Sequence, residues 1–218
     1  MIEQDQGWVL HRIPYKESSW LVDFLTLQHG RLRGIYRKKK TQPHVSLFQP
    51  YWIRFNQKNS GLVSIYDIEH KGAAIILRAS RLFCGYYLNE LLIRCLNQAE
   101  ADVQIIVSYE KTLENLQTSQ QLGVILRIFE LELLESLGYG LPFHQLLGDQ
   151  NTAYLFDPDQ GFIANQDGPY PGQLLTQLKH RKIPNQCSLS KQLLRSALSP
   201  LIGSKPLESR KLFQKIAS

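Results

Sequence analysis

The residues of this chain best suited to bind a ligand form a run of positive charge within residues 30–44, GRLRGIYRKKKTQPH. Six of the ten positions from 31 to 40 are arginine or lysine, and no aspartate or glutamate occurs between residues 24 and 66. Ordinary protein surfaces mix the two signs. Such cations suit the phosphates of a polyanion, whose counterions are released on binding. We therefore predict a DNA-binding surface formed by Arg31, Arg33, Arg37, Lys38, Lys39, Lys40, Arg54 and Lys58.

Aromatic residues accompany the cations and offer a second kind of contact. Exposed rings can stack on the bases of a single strand, whereas buried rings fill a hydrophobic core. The sequence leaves both roles open for each of the five candidates, Tyr15, Trp20, Tyr36, Tyr51 and Trp52.

Short β-strands are predicted to carry these residues. Five segments rich in aliphatic and aromatic residues, separated by turn residues, fill residues 7–70. In the basic strand, alternation places Arg31, Arg33 and Arg37 on one face, and Leu32 and Tyr36 on the other. Five short strands favour a closed barrel, since closure removes the sheet edges. We predict an OB-fold, with an SH3-like barrel as the alternative.

The hydrophobic period changes to that of helices from about residue 72. The pattern predicts an α+β chain of two domains, a barrel domain at 1–75 and a mostly helical domain at 76–218. Further helices are expected near 102–116, 119–137, 171–181, 188–199 and 206–217. Gly138 is expected to end the third helix in a left-handed conformation, and residues 153–164 read as a β-hairpin.

No catalytic motif accompanies the basic strand. The six histidines lack an H-E-x-x-H spacing, and the chain has neither a phosphate-binding G-x-x-x-x-G-K-[ST] loop nor a G-x-S-x-G elbow. Its three cysteines include no C-x-x-C pair. We therefore expect a binding protein rather than an enzyme, with no cofactor and no metal. The polar start, MIEQDQGW, is unlike a signal peptide, which favours a cytoplasmic location.

Several distinctive motifs lie along nearly the whole chain. They are the opening GWVLHRIPYKESSWLVDFLTLQHGRLRGIYRKKK, the segment FQPYWIRF, the helical motifs YYLNELLIRCL and LRIFELELLESLGYG, and the tail SPLIGSKPLESRKLFQ. These motifs and their order resemble the RecO family of bacterial recombination mediators. The resemblance spans about residues 7–216.

The resemblance implies an OB domain followed by a helical domain, and a nucleoid-associated protein that binds single- and double-stranded DNA. It also implies annealing of complementary strands, and cooperation with RecR and single-stranded-DNA-binding protein to load RecA. Some relatives hold zinc with four cysteines in the helical domain. Residues 141–170 contain no cysteine, so we expect a metal-free hairpin there.

One contact with a partner is predicted on the third helix. The arginine of the family's R-x-F-E motif falls on Arg127, and Leu131 and Leu134 follow at helical spacing. A cation beside apolar residues suits the acidic tail of single-stranded-DNA-binding protein. The alternative is a pair between Arg127 and Glu130 within the helix. Further DNA contacts are possible at Lys205, Arg210 and Lys211.

Three rival functions have to be distinguished from DNA binding and annealing. An RNA-binding barrel associated with translation would present the same cations and rings, because RNA shares phosphates and bases with DNA. A nuclease would need clustered carboxylates to hold its metal ions, and residues 24–66 supply none. A scaffold would use the cations to bind an acidic protein.

Overall fold

The computed structural model describes residues 2–37, 44–56, 61–97, 102–185 and 187–217. Its strands are β1 (Ile2–Tyr15), β2 (Ser19–Thr26), β3 (Gly30–Arg37), β4 (Pro50–Asn56), β5 (Val63–His70), β6 (Ala153–Asp157), β7 (Gly161–Ala164) and β8 (Tyr170–Pro171). Its α-helices are α1 (Ser80–Cys95), α2 (Val103–Thr118), α3 (Leu122–Ser136), α4 (Gly172–Lys179), α5 (Ser188–Ile202) and α6 (Glu208–Ala217). Four predicted DNA-binding residues, Lys38, Lys39, Lys40 and Lys58, lie outside the described residues.

The first five strands close into a barrel in the order β1-β2-β3-β5-β4. All neighbouring pairs are antiparallel except β3 and β5, which are parallel. The predicted five-stranded OB-fold is thereby confirmed. Buried residues alternate with more exposed ones along β3 and β4, as a half-buried strand requires, and the core includes Val22, Phe24, Leu32 and Ile53.

Close approach between β3 and β5 depends on Gly34. A Cβ atom placed there would lie 2.6 Å from a Val63 methyl and 2.7 Å from Ile65 Cδ1. Any larger side chain would therefore push the two strands apart at the point where the barrel closes.

The barrel sorts the aromatic candidates. Tyr36 and Tyr51 are core residues, 1% and 0% exposed, and burial raises the pKa of both phenols. Trp20 is partly buried against the same core. Tyr15 and Trp52 are 37% and 40% exposed and are the rings of this set most accessible to a ligand.

Three helices join the barrel in one compact unit, which consists of residues 1–117 and 207–218. Helix α1 starts at Ser80, later than the apolar pattern from residue 72 predicts. Asn89 of α1 donates to the Leu10 carbonyl of β1 at 2.8 Å and accepts from the Tyr109 hydroxyl of α2 at 2.6 Å. One buried amide thus connects a barrel strand to two helices.

Residues 118–206 form the second compact unit. Helix α3 ends at Ser136, and Gly138, two residues later, has φ 79°, the predicted left-handed conformation; the Tyr139 amide donates to the Leu134 carbonyl at 2.8 Å. The predicted hairpin is β6 and β7, and β8 adds a third strand that the sequence pattern missed. No α-helix in the described part of the chain is long and apolar enough to cross a membrane.

Candidate nucleic-acid interface

Strand β3 presents its cations on the outer face, as the alternation predicts. Buried and partly exposed residues alternate along it, and Arg37 at its end is exposed. The first of these cations, Arg31, is engaged within the protein. It donates to Asp23 of β2 at 2.9 Å, and to the Ile93 and Leu96 carbonyls at 2.7 and 3.1 Å. Those carbonyls lie at the C-terminal end of α1, where a helix lacks internal donors.

Asp23 also neutralises the second cation of the strand. Its other carboxylate oxygen lies 3.5 Å from Arg33 Nε. The register explains both contacts, because Asp23 pairs directly with Arg33, and Leu25 with Arg31. Asp23 is only 2% exposed, so this carboxylate requires nearby cations.

A third cation, Arg54 of β4, forms an ion pair with Asp67, its direct cross-strand neighbour on β5. The hydrogen bond to Asp67 raises the pKa of the Arg54 guanidinium. Although residues 24–66 contain no acid, Arg31, Arg33 and Arg54 are therefore each neutralised by an aspartate. The acid-free stretch ends at the two aspartates that reach these arginines across the sheet. Contact of the three arginines with DNA stays a prediction.

Cations are more accessible where β1 turns into β2. Arg37 pairs with Ser19, and Ser19 pairs with Tyr15, so three strand ends lie side by side. Lys16, in the β1–β2 turn, places its ammonium 5.5 Å from the centre of the Tyr15 ring. Arg37 leads directly into Lys38 in the sequence. We name Tyr15, Lys16 and Arg37 the basic end of the barrel.

Arg12 connects this region to the segment before β4. Its guanidinium carbon lies 5.0 Å from the centre of the Trp20 ring, and it donates to the Val45 carbonyl. Trp20 is therefore covered by a cation of the same chain, and a base could stack on that face only by displacing Arg12.

His29, which immediately precedes the other end of β3, has a role that the sequence did not indicate. His29 lies between two carboxylates, with Nδ1 2.8 Å from Asp5 and Nε2 2.7 Å from Glu3. Asp5 also accepts from the Gln28 and His29 amides. Burial alone would lower the pKa of the imidazole, but the hydrogen bonds to Asp5 and Glu3 outweigh it and raise that pKa. The carboxylates lie over twenty residues away in sequence, so no local spacing indicated the cluster.

The candidate cations near the C-terminus differ in their surroundings. Glu90 of α1 accepts from the Glu208 and Ser209 amides at 2.9 and 2.8 Å, and so caps the N-terminus of α6. The Arg210 guanidinium carbon lies 5.7 Å from the centre of the Tyr87 ring.

The other two candidate cations lie at the surface. Lys211 is exposed and forms an ion pair with Glu208 at 2.7 Å. Lys205 is exposed. DNA contact at Arg210, Lys211 and Lys205 stays a prediction.

The predicted tail-binding residues of α3 are buried. Leu131 and Leu134 are 1% and 0% exposed, and Arg127 is 8% exposed. Arg127 forms the ion pair with Glu130 that the sequence offered as the alternative. The two leucines are therefore core side chains in this structure and do not form an exposed apolar patch. Binding of a partner's tail to this helix stays a prediction.

Known proteins are similar to this chain along nearly its whole length. The family model for the N-terminal part of recombination protein O matches residues 1–80, and the model for its C-terminal part matches residues 78–211. The DNA repair protein RecO of Coxiella burnetii is 34% identical, over 95% of this chain and 96% of its own length. That of Actinobacillus pleuropneumoniae is 34% identical, over 99% and 97%. The chain therefore belongs to the RecO family.

Proposed function

We propose that this chain is a recombination mediator that binds DNA, anneals complementary single strands, and acts with RecR and single-stranded-DNA-binding protein to load RecA. Its membership of the RecO family supports a role in DNA repair and recombination. The mode of action that we propose is binding. Annealing requires that two polyanions approach each other, and cations that neutralise phosphates lower the repulsion between them.

The basic end of the barrel is the observation that carries this proposal. Arg37 is exposed at the end of β3, beside Tyr15 and the turn that holds Lys16. Three lysines follow Arg37 directly in the sequence. The combination of exposed cations with an accessible ring suits a single strand, whose phosphates and bases need both kinds of contact.

The direct test is the annealing of two complementary labelled DNA strands, monitored by energy transfer between the labels. Wild-type protein is expected to accelerate annealing, and the variant Lys16→Ala/Arg37→Ala to do so less. The double variant Lys71→Ala/Lys111→Ala removes the same charge from exposed positions outside the predicted DNA-binding surface and serves as the matched control. Equal acceleration by both variants would contradict the assignment to the basic end.

Assays with the same labelled DNA strands also distinguish annealing from the rival functions. Intact strands after incubation with Mg²⁺ or Mn²⁺ argue against a nuclease. RNA of equal length and sequence is the competitor that tests the RNA-binding alternative, since only 2′-hydroxyl contacts would favour it. We expect DNA to compete at least as well as RNA. Preferential binding of RNA would favour a role in translation.

The proposed contact with the tail of single-stranded-DNA-binding protein depends on Arg127. Because Glu130 already pairs with Arg127, a tail carboxylate would have to replace Glu130. Glu130→Gln is then expected to strengthen binding of a tail peptide, and Arg127→Gln/Glu130→Gln to abolish it. Calorimetric titration measures both, with circular dichroism to verify the fold. Equal affinity in the two variants would remove Arg127 from the contact.

A further inference from the structure

An open pocket of about 390 Å³ lies on the outer wall of the barrel, where β1, β4 and β5 run side by side. Its lining combines one aromatic ring, one cation, two carboxylates and one amide: Trp52, Arg54, Asp67, Glu69 and Gln4. The pocket is separate from the basic end and contains an excess of negative charge, so a different kind of ligand suits it.

Two cross-strand rows of side chains build the pocket. The first row is Gln4, Arg54 and Asp67, which are direct neighbours on β1, β4 and β5. Its cation, Arg54, and its carboxylate, Asp67, form an ion pair, so the charges within this row balance.

The second row, Gln6, Trp52 and Glu69, has the same strands and the same register. It contains a carboxylate and an aromatic ring but no cation. Glu69 forms no ion pair with any residue that the structure describes. The Glu69 carboxylate acts electrostatically on Arg54, but Arg54 is already paired with Asp67.

The ring of the second row already interacts with a cation. Lys71 Nζ lies 5.7 Å from the centre of the Trp52 ring, within the range of a cation–π contact. Trp52 is nevertheless 40% exposed. The ring therefore has accessible surface for a second planar group.

We propose that this pocket binds an arginine side chain of a partner protein, with the guanidinium stacked on Trp52 and paired with Glu69. Arginine suits the site better than lysine, because its planar group stacks on aromatic rings and forms two parallel bonds to a carboxylate. Nucleic acid suits it less, because Asp67 and Glu69 outnumber Arg54 along the lining and would repel a phosphate. This docking site goes beyond the proposed DNA-binding function.

The test is a titration of the full-length protein, in which binding is monitored through the indole N–H resonance of Trp52 by nuclear magnetic resonance. The resonance is identified by its loss in Trp52→Phe. The probes are N-acetylarginine amide, its neutral isostere N-acetylcitrulline amide, and deoxycytidine monophosphate. Arginine amide is expected to shift the resonance saturably, and citrulline amide to bind at least about five-fold more weakly.

Matched variants separate the carboxylate from general charge effects. Glu69→Gln is expected to weaken arginine binding by at least about five-fold, whereas Glu17→Gln, an exposed acid in the β1–β2 turn, retains wild-type binding. Unchanged indole signals of Trp8 and Trp20 report an intact fold. Equal affinity for arginine in Glu69→Gln and wild type would overturn the proposal, as would tighter binding of the nucleotide than of arginine amide.

Discussion

The two halves of strand β3 carry the same residue type on the same face and use it differently. In the first half, Arg31 and Arg33 share the buried carboxylate of Asp23, and Arg31 also binds the end of α1. In the second half, Arg37 is exposed beside the β1–β2 turn. A row of arginines is therefore not one functional unit, since part of it holds the barrel to a helix and part remains available to a ligand.

The largest expected effect is on stability and comes from Arg31→Ala. The change leaves Asp23 with only its longer contact to Arg33 and removes the donor to two carbonyls of α1. We expect unfolding in urea to require about 2–4 kcal/mol less free energy. Arg37→Ala is the matched control and should cost less than about 0.5 kcal/mol. Equal stability of the two variants would abolish the distinction between the halves.

A second effect tests whether α1 is held on the barrel by more than charge. Asn89→Ala removes the amide that joins the Leu10 carbonyl to the Tyr109 hydroxyl and leaves both groups buried without it. The expected loss is about 2 kcal/mol in the same denaturation experiment. Gln104→Ala, on the exposed surface of α2, should be neutral. A loss no greater than that of this control would show that the amide contributes little.

The smallest expected effect is a dependence on pH at the turn before β3. The raised pKa of His29 means that its contribution is complete below the ordinary value of 6.5 and is lost as pH rises through the folded value. We expect the stability difference between wild type and His29→Gln to be up to about 1 kcal/mol larger near pH 5.5 than near pH 8.5. His11→Gln, at an exposed position of β1, supplies the control. A difference that is constant with pH would mean that the imidazole is not held protonated by Asp5 and Glu3.

The sequence predicted the barrel from its five short strands, and it predicted the faces of Arg31, Arg33 and Arg37 from alternation along β3. It did not predict which arginines are neutralised. Asp23 lies eight and ten residues before Arg31 and Arg33, yet antiparallel pairing places it beside both. The absence of acids along a segment says little about the acids across the sheet.

Helix α3 shows a similar limit to what periodicity in the sequence can predict for a helix. The spacing of Arg127, Leu131 and Leu134 placed them on one stripe, but apolar residues occur around nearly the whole helix. Leu126 and Leu133 are also buried, 8% and 1% exposed. When every face is apolar, the period does not identify a face that remains available to a partner.

The most direct test of the central claim is the salt dependence of single-strand binding, measured by fluorescence of a labelled strand. The variant Arg37→Ala/Lys38→Ala/Lys39→Ala/Lys40→Ala removes four cations, and the slope of log affinity against log salt should become shallower by about 3. The control Lys71→Ala/Lys111→Ala removes two exposed cations that lie outside the predicted DNA-binding surface and should keep the wild-type slope. A wild-type slope in the quadruple variant, or a control that loses as much per cation, would contradict the account.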